Sequence, residues 1–364
     1  MSLPFQPLDA DLFARAQHLL DEEWLARDPD LAPVLPTVLA RNVGQDWHKA
    51  GTFRHHLVGV ARSLTLWQQP RDVRLLGLLH SVYGNAFVDL VKFDPAKERA
   101  RVREIAGESA EHLVYLFCTQ SRTQFVQKVL AGALAADGSL VLEKDGQPHT
   151  LTPYEVAAFI VVSMADTIEQ WFSWQDDIFS RFPAVQHRPQ PVHWAASLWP
   201  GPMRPSGRMV SQINGLGRAL QHPGLKGLLP VPPVFGHCMQ GLSAADEAAA
   251  TSLYWSVIQQ DQPLVDLDVA TGVLESAVRH NPWVGEPQMV LAQLYLSAGR
   301  TDEAQAAAAS ALQLFCAWGN SWDKRVQWDA WVAWTRILLQ GATVHGTWPE
   351  RLDKLNNVAL RSAT

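Results

Sequence analysis

Residues 77–84 read "GLLHSVYG", with His80 closing the apolar run "DVRLLGLLHSVYG". Apolar residues recur there at three- and four-residue spacing, the period of a helix with one buried face. His80 is therefore either a packed, hydrogen-bonded core residue or one member of a polar group assembled inside the fold.

The same period continues on both sides, through "LFARAQHLLDEEWLARD" and "FRHHLVGVARSLTLW", so Asp9 to about Ala135 reads as helical. Asp72 after Pro70 and Asp94 before Pro95 offer N-cap chemistry for two of these helices. "LVLEKDGQPHTL" (140–151) breaks the pattern: Asp145-Gly146 between two β-prone runs predicts a small hairpin. Thr152-Pro153-Tyr154-Glu155 then joins an N-cap threonine, a first-turn proline and a capping-box glutamate, opening "YEVAAFIVVSMADTIEQWFSW".

Ten of the 23 prolines fall between Pro183 and Pro233, which argues against regular helix and predicts a long connector. Its aromatics Phe179, Phe182, Trp194 and Trp199 suggest that it packs on something rather than hanging free. After Ser243 the chain is alanine-rich and helical again. In "GEPQMVLAQLYLSAGRTDEAQAAAASALQLF", Leu291 and Tyr295 lie on one helix, Gly299-Arg300 makes a turn, and Glu303-Ala304 with Ala308 and Ala311 lie on a second. This stretch resembles a tetratricopeptide repeat. "DVATGVLESAVRHNPW" is similar to the second helix of a preceding repeat, and "WDKRVQWDAWVAWTRILL" to a helix closing the stack.

Composition narrows the function. A net charge of −6 gives no general attraction to nucleic acid or anionic lipid, so neither is an expected partner. The N-terminus lacks the layout of a signal peptide and no apolar run approaches a bilayer span, so a cytoplasmic protein is expected. Cys118, Cys238 and Cys316 are odd in number and widely spaced. They suggest neither a disulfide framework nor a thiolate zinc site, and read as small buried hydrophobes. Most of the 15 tryptophans should be packing. No Gly-rich phosphate loop, nucleophile elbow or HExxH occurs, and "GLGRAL" (215–220) lacks the spacing of a dinucleotide fingerprint.

Three metal-competent side chains sit on apolar helical faces: His56 below Val60 and Leu64, His80, and Asp166 in "VVSMADTIEQ". A buried carboxylate without a partner costs several kcal/mol, so Asp166 needs an imidazolium or a metal beside it. The order and environment of these residues resemble the HD-domain superfamily of helical metal enzymes, over roughly residues 40–180. That resemblance implies that His56 is the first histidine, His80 the histidine of the His-Asp doublet, and Asp166 the distant aspartate. It departs at Ser81, which stands where the doublet's aspartate ligates or bridges metal, and so implies one metal rather than two.

A two-histidine, one-carboxylate set leaves coordination positions open and suits mononuclear Fe, Mn or Zn. Ser81 would hydrogen-bond a metal-bound water, and Tyr83 would be a further donor or a packing residue. Arg99 and Arg103 share a helical face; they either hold a substrate phosphate or carboxylate, or form a solvated face paired with Glu98 and Glu104. His55 points away from His56, and His112 is a possible extra ligand. His187 and His193 read as surface residues of the connector.

The expected fold is all-α. An HD-like domain with a small β-hairpin spans 1–182, a Pro/Trp-rich connector or lid 183–243, a tetratricopeptide-like domain 244–342, and a C-terminal helix or tail 343–364. The expected function is metal-dependent chemistry on a small polar molecule, with phosphoester hydrolysis leading and iron-dependent oxidation as the alternative. A further alternative is a non-catalytic scaffold in which a degenerate HD core is structural and the repeat-like helices bind a protein partner.

Overall fold

The computed structural model of the chain describes residues 9–21, 23–48, 51–84, 90–170, 209–234, 241–260 and 266–346. The connector residues Phe179, Phe182, His187, His193, Trp194 and Trp199, together with Cys238 and residues 347–364 of the expected tail, lie outside them. The fold is mostly helical, and its strands form two antiparallel pairs among the described residues. No described helix is long and apolar enough to cross a membrane. The contacts divide the chain into two compact units, one of residues 15–170 with 211–241, the other of the described residues in 1–14, 171–210 and 242–364.

The N-terminal segment forms α1 (Ala10–His18), α2 (Trp24–Arg27), α3 (Leu35–Leu39) and the pair β1 (Trp47–His48) with β2 (Gly51–Thr52). Then come α4 (Phe53–Leu66), α5 (Arg71–Leu79), α6 (Arg99–Ala106), α7 (Glu108–Thr119), α8 (Arg122–Leu130), the β3–β4 hairpin (Leu140–Lys144, Gln147–Leu151) and α9 (Pro153–Glu169). The hairpin turns at Asp145 and Gly146, both left-handed with φ of 52° and 73°, as a two-residue connection demands. Helix α9 begins on the expected capping box, in which Thr152 and Glu155 exchange bonds with each other's backbone.

Helix α9 is apolar all round and buried accordingly, with Val156, Phe159, Ile160, Val161, Val162, Met164, Ala165 and Ile168 in the core. Each fully buried side chain of this kind contributes about 1.5–3 kcal/mol before conformational entropy is counted. Helices α4 and α5 pack on α9 and on each other, and α7 packs on α5. The approach of α5 to α4 depends on Gly77, where a Cβ would stand 2.1 Å from the Leu64 Cδ1. The three polar residues singled out in the sequence thus lie on three mutually packed helices.

Two helix starts differ from expectation. Pro70 is the N-cap of α5, and Asp72 lies inside its first turn; its carboxylate instead accepts from Ser109 Oγ and Tyr154 Oη, each at 2.9 Å. Asp94-Pro95 opens only a turn, whose backbone Asp94 N donates to Glu98 Oε2, and α6 starts at Arg99.

The connector also holds more structure than its proline content suggests. Helix α10 (Met209–Ala219) occupies the proline-free interval between Pro205 and Pro223, burying Val210, Ile213 and Leu216 at helical spacing. Further on, Pro230 O accepts from Gln69 Nε2 at 2.8 Å, tying this segment into the unit that carries α4–α9.

In the other unit α11 (Ala244–Ile258), α12 (Leu267–His280), α13 (Glu286–Ser297), α14 (Thr301–Trp318) and α15 (Trp328–Gln340) each pack on the next, and α15 runs into a π-helical turn, Gly341–His345. Leu291, Tyr295, Ala304, Ala308 and Ala311 are all buried, on either side of a turn at Gly299. Buried Glu286 accepts from the backbone of Trp322 (2.5 Å) and Asp323 (3.0 Å). Asp323 in turn accepts from Tyr254 Oη (2.7 Å) and from Arg325, pinning the loop before α15. Burial and the Asp323 carboxylate push the Glu286 carboxyl up to about 7, against the two backbone donors.

Candidate metal centre

Thr52 caps α4 in a box completed by His55: His55 N donates to Thr52 Oγ1, and Thr52 N donates to His55 Nδ1. That box holds His55 at the exposed end of the helix and turns His56 inward, where it is 3 % exposed. His80 is fully buried as the C-cap of α5, and Asp166 is 5 % exposed near the end of α9.

The three side chains converge. His56 Nε2 lies 3.1 Å from His80 Nε2 and 3.2 Å from Asp166 Oδ1, and His80 Nε2 lies 3.5 Å from the same oxygen. The remaining ring nitrogens fix the tautomers. His80 Nδ1 faces the Gly77 carbonyl at 2.8 Å and must donate to it; His56 Nδ1 faces Glu169 Oε2 at 2.9 Å and does likewise. With both Nδ1 atoms facing acceptors, both Nε2 atoms point inward, and in neutral rings they would present lone pairs beside Asp166 Oδ1 to a cation, while a proton on His56 Nε2 bridges them in its absence. Donors about 2.1 Å from one ion stand about 3.0 Å apart at octahedral angles and about 3.4 Å apart at tetrahedral ones, and the observed triangle matches these edges.

The residues fit a divalent ion in chemistry as well as spacing, since two imidazoles and one carboxylate form an N/O donor set. Electrostatics agree. Burial would push the His56 imidazole down, but the Asp166 and Glu169 carboxylates prevail and raise it to about 9. Burial lowers His80, against the pull of Asp166. Burial would also raise Asp166, yet the Arg122 guanidinium and both imidazoles hold it well below the usual carboxylate range. One positive charge therefore resides among the three groups even without a metal.

Four contributors are not among the residues the sequence singles out. Arg122, first residue of α8, donates to Asp166 Oδ2 and lies 4.7 Å from the centre of the Phe117 ring. It divides the carboxylate: Oδ2 is held by arginine, while Oδ1 faces the imidazoles. Glu169 and Gln170 follow Asp166 by three and four residues, on the same face of α9. The spacing in "ADTIEQ" was the available signal for both. Glu169 reaches His56 over Gly59, and Gln170 Nε2 donates to Asp166 Oδ1 at 2.6 Å. The pair β1–β2 adds buried His48, whose ring centre is 4.5 Å from that of His56.

Other expected site residues lie elsewhere. Tyr83 donates its hydroxyl to Glu111 Oε1 at 3.0 Å, and burial with that carboxylate pushes its ionisation far above the ordinary tyrosine range. Arg99 grips Glu111 through Nε (2.7 Å) and Nη2 (3.0 Å), and Arg103 adds a 3.3 Å contact. The arginines are thus paired with buried Glu111, not with Glu98, which binds Arg41, or Glu104, which binds Arg101. With Glu108, Ser109 and His112 these residues line an open cleft of about 470 Å³. His112 is bonded to Glu155 at 2.7 Å and is not among the converging residues. Ser81 is buried directly after His80. Cys118 is buried as expected, its thiol donating to the His80 carbonyl at 3.2 Å.

Residues 37–122 match a protein family described as a domain of unknown function (DUF6817). The match includes His56, His80 and Ser81 and stops short of Asp166. No curated protein matches the chain, and no solved structure does.

Proposed function

We propose that His56, His80 and Asp166 bind one divalent metal ion, Fe, Mn or Zn, and that the protein is a cytoplasmic metal-dependent enzyme acting on a small polar molecule. The observation that carries this reading is the meeting of three buried ligand-competent atoms within 3.5 Å of one another. Acceptors so placed need a shared cation or proton.

Phosphoester hydrolysis is the leading reaction. The helical order His56, His80, Asp166 supports an HD-like domain, for which hydrolysis is the expected activity. A divalent ion in such a site acts as a Lewis acid on a phosphoryl oxygen. The chain's own residues have separable tasks. The Gly77 carbonyl and Glu169 orient the two imidazoles, Arg122 orients the carboxylate, and Ser81 is the hydroxyl nearest the ligands in sequence. Arg99 and Arg103, which pair with Glu111 and line the cleft, would hold an anionic substrate group there.

Iron-dependent oxidation is the second reading, favoured by the single carboxylate among the three ligands, since a two-His-one-carboxylate set is also the arrangement of mononuclear iron oxygenases. The consecutive packing of α11–α15 supports a tetratricopeptide-like second unit able to bind a protein partner, and a scaffold role would rest on that unit alone.

The experiment is elemental analysis of the anaerobically purified full chain beside His80→Ala and Asp166→Ala, followed by assays for phosphoester cleavage and oxygen consumption. About one metal per chain, lost in both variants, with phosphoester cleavage is expected. Stoichiometric iron with oxygen uptake replaces hydrolysis by oxidation, and metal content indifferent to both substitutions overturns the centre.

A further inference from the structure

We infer that Gln170 completes the centre as a fourth ligand, through its carboxamide oxygen, an inference that rests on the metal reading of His56, His80 and Asp166. Gln170 is the C-cap of α9, one turn beyond Asp166. Its amide nitrogen is 2.6 Å from Asp166 Oδ1, the oxygen that faces both imidazoles, and 3.1 Å from His56 Nε2. The carboxamide head therefore already touches two of the three converging atoms.

The chemistry of the amide decides what it does there. A carboxamide carries a donor and an acceptor on one planar group, and its terminal torsion is broad and roughly two-fold, so the two ends exchange without moving the backbone. With nitrogen inward, it donates to Asp166 Oδ1, beside the His56 ring. Around a cation the same position calls for an acceptor, and oxygen inward supplies one. Neighbouring groups are committed otherwise: Glu169 to His56 Nδ1 and Arg122 to Asp166 Oδ2. Gln170 is thus a neutral oxygen donor within reach, and it turns a three-ligand set into a four-ligand one without adding charge. A neutral oxygen beside two imidazoles and a carboxylate suits the harder divalent ions of the Fe, Mn and Zn range.

The test uses metal-stripped full-length protein titrated with Co²⁺ and Zn²⁺, comparing the native chain with Gln170→Ala, Gln170→Glu and His80→Ala. Melting curves of the metal-free proteins control for folding. A ligand role predicts that Gln170→Ala weakens binding about tenfold or more and changes the visible spectrum of bound Co²⁺, while Gln170→Glu binds at least as tightly as the native chain. Native affinity and an unchanged Co²⁺ spectrum in Gln170→Ala overturn the inference, as does tighter binding, which would make the amide a competitor of the ion. Failure of the centre itself reads differently: the native chain and His80→Ala would then bind Co²⁺ equally weakly, and the inference would fall with it.

Discussion

Glu169 reaches the Nδ1 of His56 across the bare backbone of Gly59, where a Cβ would stand 2.8 Å from the glutamate Cγ. The outer partner of His56, a proposed ligand, is thereby secured by the absence of a side chain on another helix. Gly59→Ala should displace Glu169, which is partly exposed and free to swing outward, rather than unfold the protein. The expected result is a near-native melting curve with metal affinity reduced about 10–100-fold, measured by titration of the metal-stripped variant.

Gly77 plays a different part, because the atom it would meet is Leu64 Cδ1 inside the α4–α5 contact. Gly77→Ala overpacks that contact and should cost about 1–3 kcal/mol in denaturant unfolding. Leu64→Ala in the same chain should restore part of the loss, so the double variant is more stable than the two single effects added.

Glu111 is the keystone of a separate network. Removing it leaves Tyr83 without its acceptor and Arg99 without its counter-ion beside the core. Glu111→Ala should cost about 3–5 kcal/mol and Tyr83→Phe about 1 kcal/mol, while metal content stays native in both. Loss of metal in Tyr83→Phe would return Tyr83 to the centre.

Glu286 predicts a pH dependence of the other unit. Its carboxyl titrates near 7 in the folded chain and near the ordinary glutamate value of 4.5 when unfolded, so the native state holds the extra proton between these values. Its protonated form favours the fold: stability is greatest below about 4.5, falls by a few kcal/mol as pH rises through 7, and levels off above. Glu286→Gln keeps an oxygen for the Trp322 and Asp323 amides and has no proton to lose. Unfolding measured from pH 5 to 8 should show that slope shrinking in the variant.

How much of this was legible in the sequence differs from residue to residue. His56, His80 and Asp166 stood out as polar exceptions to an apolar helical period, and the same period fixes α4, α5 and α9. Glu169 and Gln170 were legible in principle, since three and four residues from Asp166 is the same helical face. Glu111 was too, being in step with Val114 and Cys118 on a buried stripe. Arg122 was not: its role comes from α8 meeting α9, a tertiary contact that leaves no local trace. Helix α10 was obscured because proline content averages over a long segment, whereas a helix needs only one proline-free interval. Arg99 and Arg103 pair with Glu111 rather than with the glutamates beside them in sequence for a related reason. Nearest charges in sequence are not nearest in space once α6 and α7 turn against each other at Gly107.

The division of the Asp166 carboxylate between Arg122 and the imidazoles has a consequence for the charge of the whole assembly. Arginine cancels the aspartate, the imidazoles are neutral as ligands, and Glu169 leaves one negative charge, which the raised His56 proton balances in the metal-free protein. A divalent ion taking the place of that proton gives the buried assembly a net charge of about +1 in a low-dielectric surrounding, where such a surplus is felt strongly. A divalent ion bound as proposed would leave that surplus uncompensated by Arg122, Asp166 and Glu169 themselves.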